Sequence, residues 1–328
     1  MHVTVLGAGS WGTAIAIMLA RNGHDVTLWG RDSEDMHAVR SLRENVQYMP
    51  GFAIPEGVTM LSASEELKPC DLWVVAVPSG GVRSVCARVL GESPLVVMAS
   101  KGLEATTSLP LCEVAREVLP DARVGVISGP NLAVEIVRSV PTAAVVAFPD
   151  SADAERVRQA FMCRTFRVYI SEDVIGVELA GALKNVLAIA AGLSDGLGFG
   201  DNTKGALLAR GLHEMASLGL AMGARLDTFL GVAGVGDLFA TAVSKLSRNY
   251  RVGRALGQGT GLQAAMDSVG QVAEGVVTAE AALVLARRHG VQIPTFEATD
   301  NVIRGRVRPM DAVGQLMERL PRTESILP

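Results

Sequence analysis

The sequence is poor in the residue types that mark several classes of protein. Its 328 residues include only 8 Phe, 3 Trp and 3 Tyr, too few for the stacking surfaces with which single-strand nucleic-acid binders hold bases. Lys and Arg number 30 against 34 Asp and Glu, which gives a formal net charge of -4, and no block of like charge occurs. We therefore expect no nucleic-acid partner.

Cysteine and histidine are also scarce. The four cysteines, Cys70, Cys86, Cys112 and Cys163, are widely spaced and form no CxxC pair, so reduced thiols in a cytoplasmic protein are predicted. The five histidines include no HxxxH pair and no carboxylate at metal-ligand spacing, and no metal site is predicted. The short apolar run at residues 3–7 lacks the basic segment that precedes it in a secretion signal.

Apolar residues and glycine, by contrast, are abundant. Apolar residues make up 49% of the chain and 35 residues are glycine, which excludes a disordered chain and indicates many tight turns. The stretch 174–200 is long and apolar enough for a membrane span. It carries Glu178, Lys184, Asn185 and Asp195, which are costly in lipid, so a buried helix of a soluble protein is predicted instead.

Two domains are predicted from the length and from a change of pattern near Asp173. Residues 3 to about 170 alternate short apolar runs with helical segments, which predicts a doubly wound, mainly parallel sheet of the α/β class. From 176 to 319 apolar residues recur every three or four positions, which predicts an all-helical second domain. The predicted domains are 1–173 and 174–328, and the predicted strands are 3–6, 26–29, 72–77, 95–99, 124–127, 143–147 and 166–170.

A GxGxxG string, formed by Gly7, Gly9 and Gly12, stands between the first predicted strand and a helix predicted at 13–21. The first glycine permits a tight turn, the second lets a pyrophosphate approach the backbone, and the third lets helix and strand pack closely. The helix N-terminus favours the negative charge of that pyrophosphate. Residues 1–173 are thus predicted to bind a dinucleotide. A glycine-rich turn without a ligand and a nucleotide-binding unit of another class, such as a methyltransferase, are the alternatives.

The residues after the second predicted strand bear on the choice between NAD and NADP. An NAD-restricted site has an acid near this strand end, which accepts a hydrogen bond from the ribose 2'-hydroxyl. Here Gly30 ends the strand and Arg31 follows. A guanidinium pairs with a 2'-phosphate, so NADP is preferred and NAD is the second cofactor. Alternatively, Arg31 is a solvated charge, and Asp32 meets a 2'-hydroxyl, pairs with Arg31 or caps the next helix.

Two further strand ends carry polar or backbone-permissive residues. Lys101 follows the predicted strand 95–99, and Gly129 and Asn131 follow 124–127. Ligands of doubly wound sheets bind beyond the carboxyl ends of the strands, so these residues are predicted to face the same crevice as the glycine turn. The alternatives are a solvated loop lysine at 101 and a plain turn glycine at 129.

Lys184 is the most informative lysine because it lies within a very apolar helical pattern, predicted at 174–191. A lysine there is costly unless it has a partner or a chemical role. Desolvation lowers the pKa of a lysine toward the range of a general acid or base. In hydride transfer to a ketone, an ammonium group stabilises the alkoxide and donates its proton. The alternative is a lysine whose ammonium reaches solvent at the helix edge.

Another group of polar residues lies in the predicted helical domain. Asp237 follows two glycines, and Ser247, Arg248 and Asn249 precede a helical pattern. A cap, a planar cation and an amide suit a phosphate-bearing substrate. The alternatives are that Ser247 and Asp237 cap helices and that Arg248 lies in solvent.

Taken together, these residues resemble the bacterial type of NAD(P)-dependent glycerol-3-phosphate dehydrogenase. The similarity runs along almost the whole chain, through GAGSWGTA at 7–14, SKGL at 100–103, SGPNLA at 128–133, ELAGALKNVLAIAAG at 178–192, GVGDL at 234–238, SRN at 247–249 and VAEGV at 272–276. The resemblance implies a Rossmann domain followed by a helical domain. It further implies a cytoplasmic homodimer that reversibly reduces dihydroxyacetone phosphate to sn-glycerol 3-phosphate, which feeds phospholipid biosynthesis.

The resemblance also assigns roles to residues. It implies that Lys184 is the catalytic proton donor and acceptor. The implied cofactor contacts, with those of the glycine turn, are Gly7, Gly9, Ser10, Trp11, Gly12, Arg31, Lys101, Gly129, Ala133, Arg248, Val272 and Glu274. The implied or predicted substrate contacts are Lys101, Gly129, Asn131, Lys184, Asp237, Ser247, Arg248 and Asn249.

Two other functions are kept as alternatives. A related lysine-dependent 3-hydroxy-acid or sugar-acid dehydrogenase would share the fold and the hydride chemistry, but the cluster at 247–249 favours a small phosphate ester. A non-catalytic NAD(P)-binding sensor would keep the glycine turn but has no need of a desolvated Lys184.

Overall fold

The computed structural model describes residues 1–270 and 272–318, so the end of the second predicted domain lies outside the described residues. The chain forms two compact units, Met1–Lys101 with Leu111–Val174 and Gly102–Pro110 with Ile175–Pro328. The segment Gly102–Pro110 thus differs from the predicted division, which placed it in the first domain. It groups with the helical unit because Leu103 is fully buried in that unit's core and Arg288 donates a 2.8 Å hydrogen bond to the Thr107 carbonyl.

The first unit is built on an eight-stranded sheet. The strands are β1 His2–Leu6, β2 Asp25–Gly30, β3 Val58–Ser62, β4 Leu72–Val75, β5 Leu95–Met98, β6 Arg123–Ser128, β7 Thr142–Ala147 and β8 Phe166–Ser171. Their order in the sheet is β3-β2-β1-β4-β5-β6-β7-β8. All neighbouring strands are parallel except β6 and β7, which confirms the predicted fold class.

The sequence prediction misses only β3 among these strands. Its residues alternate between buried Val58, exposed Thr59 and buried Met60, and the strand lies at the edge of the sheet. The prediction looked for continuous apolar runs, which are typical of strands covered on both faces. By contrast, every residue of the inner strands β4 and β5 is buried.

Helices connect these strands and cover the sheet. They are α1 Ser10–Arg21, α2 Ser33–Leu42, α3 Val82–Cys86, α4 Leu111–Val118, α5 Ala133–Val137 and α6 Ser151–Phe161. The chain order reverses at β1, which pairs with β2 on one side and β4 on the other. Ligands of doubly wound sheets bind at such a reversal, and Gly7 follows β1 directly.

The second unit is helical, as predicted. Its helices are α7 Val174–Gly196, α8 Asp201–Ala221, α9 Leu226–Leu230, α10 Asp237–Val243, α11 Arg248–Gly257, α12 Leu262–Asp267, α13 Glu274–Arg288, α14 Pro294–Ile303 and α15 Pro309–Met317. Helix α7 has the length and apolarity of a membrane span, but 94% of its most apolar window is buried inside the protein. Its apolar side chains therefore form the core of the unit.

Helices α7 and α11 pack backbone against backbone through glycines. A Cβ added at Gly192 would lie 2.1 Å from the Tyr250 carbonyl oxygen, and one added at Gly253 would lie 2.0 Å from that of Ile189. Because a real Cβ cannot approach so closely, only glycine permits this spacing. The contact fixes α11 against the helix that carries Lys184.

Candidate active site

The structure gives a separate reason for the presence of glycine at each of the three GxGxxG positions. Gly7 has φ +121°, and a Cβ there would lie 2.4 Å from the Ala76 carbonyl oxygen, while a Cβ at Gly12 would lie 1.8 Å from the Gly7 carbonyl oxygen. A Cβ at Gly9 would meet no atom within 4 Å. The first and third glycines therefore close the turn on the sheet, and the second leaves open space beside the backbone. This arrangement fits the pyrophosphate of a dinucleotide.

The turn leads into the N-terminus of α1. Gly9 is the N-cap residue; no side chain of the described residues caps this end, and the first turn of α1 contains no acidic residue. The positive end of the helix dipole is thus left for an anion.

Asn45 supports the glycine turn and was missed by the sequence analysis. Its buried amide Nδ2 donates to the Ala8 carbonyl oxygen at 2.8 Å and to Thr13 Oγ1 at 2.9 Å. Asn45 lies in an irregular segment after α2, so no periodicity marks it. Two predicted cofactor residues also have protein partners here, since Ser10 Oγ donates to the Tyr48 carbonyl and Trp11 Nε1 donates to the Ala99 carbonyl.

Of the three roles predicted as alternatives for Asp32, the structure shows one, which is helix capping. Asp32 caps α2, accepting hydrogen bonds from the amides of Glu34 at 2.9 Å and Asp35 at 3.1 Å. Arg31 is exposed, and no hydrogen bond or ion pair among the described residues involves its guanidinium. A side chain at Gly30 would collide with Met36 Sδ at 2.3 Å. The strand end therefore carries an exposed cation, which suits a 2'-phosphate, beside a carboxylate that caps α2 through Oδ1.

The loops after β5 and β6 carry three predicted site residues of the first unit, Lys101, Gly129 and Asn131. Lys101 Nζ donates to the Gly129 carbonyl at 3.0 Å, and Gly129 has φ +151°, which strains any other residue. Both polar atoms of the Asn131 amide are buried and have no hydrogen-bond partner among the described residues. A buried amide is costly without partners, so Asn131 is suited to a ligand. Ala133 begins α5.

Lys184 lies inside the second unit as half of an ion pair. Its Nζ donates to Asp237 Oδ1 at 2.6 Å and to Thr241 Oγ1 at 2.5 Å. The Lys184 side chain is 8% exposed and that of Asp237 is 1% exposed. The alternative that Lys184 reaches solvent is therefore wrong. The sequence analysis missed Thr241, although its spacing of four residues from Asp237 places both on one face of α10.

A π-helical turn, Val232–Gly236, places Asp237 at the start of α10. A Cβ at Gly234 would lie 2.0 Å from the Phe229 carbonyl oxygen, so this turn requires glycine there. The N-cap of α10 is Gly236, and the alternative that Asp237 caps the helix is wrong, because its carboxylate binds Lys184.

The cluster at residues 247–249 surrounds the start of α11. Ser247 caps the helix by accepting from the Tyr250 amide at 3.2 Å. Asn249 is buried and joins two other helices: its Nδ2 donates to Asn185 Oδ1 and its Oδ1 accepts from the Gly275 amide, both at 3.0 Å. The three helices α7, α11 and α13 thus meet through one amide side chain.

Arg248 and the predicted cofactor residues of this unit lie nearer the surface. Arg248 and Val272 are exposed, and Glu274 begins α13. Surrounding protein atoms lower the pKa of the Arg248 guanidinium, and the Glu274 carboxylate opposes this shift. The structure therefore brings Arg248 within electrostatic reach of Glu274, and Asn249 into contact with its neighbour Gly275.

The cysteines and the other possible metal ligands form no centre in the described part of the chain. No group of three His, Cys, Asp or Glu residues among residues 1–270 and 272–318 could hold a metal ion. All four cysteines are free thiols, and burial raises the pKa of the Cys86 thiol to about 12. Cys86 is therefore unreactive near neutral pH.

Comparisons with known proteins agree with this arrangement. Residues 2–154 match the family model described as NAD-dependent glycerol-3-phosphate dehydrogenase N-terminus, and residues 173–314 match the corresponding C-terminus. The glycerol-3-phosphate dehydrogenases [NAD(P)+] of Acidovorax sp. and Methylibium petroleiphilum are each 44% identical to this chain. The first match covers 99% of both chains and the second covers 100% of both.

A solved structure is similar over the same extent. The crystal structure of glycerol-3-phosphate dehydrogenase from Coxiella burnetii is 36% identical, with a TM-score of 0.93, and the match covers 97% of this chain and 99% of that one. The predicted resemblance is therefore confirmed over both units. The chain belongs to the family of NAD-dependent glycerol-3-phosphate dehydrogenases.

Proposed function

We propose that this protein reversibly reduces dihydroxyacetone phosphate to sn-glycerol 3-phosphate with NADH or NADPH. The observation that carries the proposal is the buried Lys184 ammonium, held by Asp237 and Thr241 in a chain that matches the dehydrogenase family along its length. A non-catalytic sensor would have no use for this ion pair, because burying two charges costs desolvation energy that their attraction and hydrogen bonds must offset.

Lys184 is the proposed proton donor. A bound nicotinamide cofactor supplies or accepts the hydride. When the carbonyl carbon gains a hydride, the electron pair of the carbon–oxygen double bond moves to oxygen, and the Lys184 ammonium donates its proton to that oxygen. In the reverse direction the neutral amine removes the hydroxyl proton. Asp237 and Thr241 fix the position of Nζ, so no reorganisation of the amine is needed during the transfer.

The substrate phosphate and hydroxyls are assigned to polar groups on both units. Arg248, with Ser247 and Asn249 at the start of α11, supplies a cation and polar groups for the phosphate. On the first unit, Lys101 and Gly129 are already joined by a hydrogen bond, and the Asn131 amide has buried polar atoms in need of partners. These residues, together with Asp237 and Lys184, are the proposed substrate contacts.

The cofactor is assigned to the glycine turn and its surroundings. Gly7, Gly9 and Gly12 with Ser10 and Trp11 would hold the pyrophosphate end, and Arg31 would bind the 2'-phosphate of NADP. The exposed guanidinium of Arg31 and the capping role of Asp32 support a preference for NADP over NAD. Lys101, Gly129, Ala133, Arg248, Val272 and Glu274 complete the proposed cofactor contacts.

We further propose that the enzyme works as a cytoplasmic homodimer whose product feeds glycerophospholipid synthesis. The four free thiols support a reducing compartment. The dimer and the link to lipid synthesis rest on the family resemblance, and sedimentation of the purified protein tests the first of them.

An absorbance assay at 340 nm tests the activity. Purified protein with NADPH and dihydroxyacetone phosphate should oxidise the cofactor, and NADP⁺ with glycerol 3-phosphate should be reduced. Parallel reactions with a 3-keto acid and with the oxidised form of a sugar acid test the related dehydrogenases. Faster turnover of either acid than of dihydroxyacetone phosphate would reject the proposed substrate, and NADPH binding without turnover of any ketone would support the sensor.

A further inference from the structure

A cavity in the second unit is lined by none of the residues assigned to cofactor or substrate. Its volume is about 420 Å³, and its polar lining consists of Lys245, Tyr250, Arg251, Arg254, Gln258 and Ser268. It is an open depression, so its lining groups are accessible to a ligand from solution. Three lining residues are cationic and none is acidic, so the cavity is suited to an anion.

The sequence around this cavity has an unusual distribution of charge. Residues 238–266 contain the four cations Lys245, Arg248, Arg251 and Arg254 and no carboxylate, although the whole chain has a net charge of -4. A cluster of cations creates a local positive potential, which attracts anions from solution.

The cations of the cavity are available for a ligand. Lys245 and Arg254 are exposed, and their charged side-chain groups take part in no hydrogen bond or ion pair among the described residues. Arg251 is held in place because its Nη2 donates to the Ser268 carbonyl at 2.9 Å, which leaves its other N–H groups available.

The nearest identified carboxylates are already paired with other groups. Asp195 accepts from the Tyr250 hydroxyl at 2.5 Å and binds Lys204 at 2.7 Å. Asp267, which precedes Ser268, accepts from Gln263 at 2.8 Å. Among the described residues, neither carboxylate forms an ion pair with a cation that lines the cavity.

Helix α11 presents these groups on a rigid support. Arg251, Arg254 and Gln258 follow at spacings of three and four residues, so they lie on one face of the helix. The opposite side of α11 is fixed to α7, because Gly253 and Gly257 contact the backbone of Ile189 and Leu193. A preorganised set of donors loses little entropy when a ligand binds.

We infer that this cavity is a second anion site, which binds a small molecule bearing one or more phosphoryl groups. Guanidinium groups match phosphoryl oxygens with paired hydrogen bonds. The concave shape favours a free metabolite over the headgroups of a flat lipid surface. The site is independent of the proposed substrate site, which uses Arg248 at the start of the same helix.

Calorimetric titration with inorganic pyrophosphate tests the inference. The protein is first saturated with NADP⁺ and dihydroxyacetone phosphate, which are both oxidised and do not react with each other, so that the proposed active-site anion positions are filled. We expect pyrophosphate to bind with one site per chain. The paired change Lys245→Ala with Arg254→Ala should weaken that binding about a hundredfold, since each charge-assisted contact contributes roughly a factor of ten. The Arg287→Ala change removes an exposed cation that does not line the cavity and should leave the affinity unchanged.

Further measurements separate the other outcomes. Circular dichroism of the double variant should match that of the parent, and turnover of dihydroxyacetone phosphate should persist, because neither changed residue is assigned to the active site. Absence of a pyrophosphate site in the parent protein, or equal binding by parent and double variant, overturns the inference. So does tight association with phosphatidylglycerol vesicles that pyrophosphate does not reverse, since that result indicates a lipid surface as the partner.

Discussion

The Lys184 ammonium lies 2.6 Å from Asp237 Oδ1, and both side chains are almost completely buried. The two residues are 53 positions apart in the sequence. A buried pair of this kind leaves an uncompensated charge when one partner is removed. The pair therefore links the stability of the helical unit to the group proposed to transfer the proton.

Removing the Lys184 ammonium should abolish turnover without preventing cofactor binding. We expect Lys184→Met to lower kcat by about 10²–10⁴-fold, the usual contribution of a positioned acid or base, while fluorescence titration still shows NADPH binding. The Lys184→Met, Asp237→Asn double variant provides a folding control, because it removes both charges. Turnover near the parent rate in Lys184→Met would exclude this lysine as the proton donor.

Arg248 should act on the phosphate of the substrate. We expect Arg248→Ala to lower kcat/KM for dihydroxyacetone phosphate by about 10–100-fold, as expected for the loss of a charged hydrogen bond. Unphosphorylated dihydroxyacetone serves as the comparison substrate, and its kcat/KM should change little. An equal loss for both ketones would show that Arg248 does not recognise the phosphate.

Arg31 should set the preference between the two cofactors. In Arg31→Ala we expect the ratio of kcat/KM for NADPH over NADH to fall about tenfold or more, because a charged contact with the 2'-phosphate is lost. The value for NADH itself should change little, which makes it an internal control. If the ratio is the same in the parent protein and in Arg31→Ala, a residue other than Arg31 recognises the 2'-phosphate.

The close packing of α7 and α11 should make Gly253 intolerant of a side chain. An added Cβ would lie 2.0 Å from the Ile189 carbonyl oxygen, so Gly253→Ala should lower the free energy of unfolding by about 1–3 kcal/mol. Gly205 in α8 is a matched control, since a Cβ there meets nothing within 4 Å. Gly205→Ala should increase stability by about 0.5–1 kcal/mol. Urea denaturation distinguishes the two, and equal effects would contradict the packing argument.

Glu214 should make stability depend on pH. Burial raises the pKa of Glu214 to about 7, opposed by hydrogen bonds from Thr295. The folded state therefore retains a proton that the unfolded state loses near the ordinary value of 4.5. This contribution is complete below pH 4.5 and is lost as pH rises through 7, with a total of about 3 kcal/mol.

Denaturation at pH 5 and pH 8 measures this dependence. The parent protein should lose stability relative to Glu214→Gln over that interval, since glutamine does not titrate. The exposed Glu297 on α14 offers a matched substitution, and Glu297→Gln should follow the pH profile of the parent. Parallel profiles for the parent and Glu214→Gln would show that Glu214 does not titrate in this range.

Much of the fold could be predicted because its signals are local. The continuous apolar runs of β4 and β5 reflect burial on both faces. The GxGxxG string reflects the positive φ of Gly7 and the close approach of Gly12 to the Gly7 carbonyl oxygen, which are both local features. Strand β3 was missed because an edge strand has one covered face and therefore an alternating pattern. The grouping of Gly102–Pro110 with the helical unit was missed because no local sequence rule states which of the two cores buries Leu103.

The candidate site was only partly predictable for the same reason. Lys184 is recognisable as exceptional because it is a lysine in an apolar helical pattern. That pattern does not show which residue pairs with its ammonium. Asp237 and Thr241 come to its ammonium from 53 and 57 residues away, and Asn249 reaches Asn185 across 64. Asn45 supports the glycine turn from an irregular segment without periodicity.

Seven of the eight strands, the change to a helical second unit, the glycine turn and the unusual lysine could be predicted from the sequence, because backbone sterics and helical or strand periodicity act between near neighbours. The folded chain shows which carboxylate pairs with that lysine, which amide joins α7, α11 and α13, and that Asp32 caps a helix. Those outcomes depend on contacts between distant segments, where helix packing distances set by residues such as Gly192 and Gly253 determine which polar groups can meet.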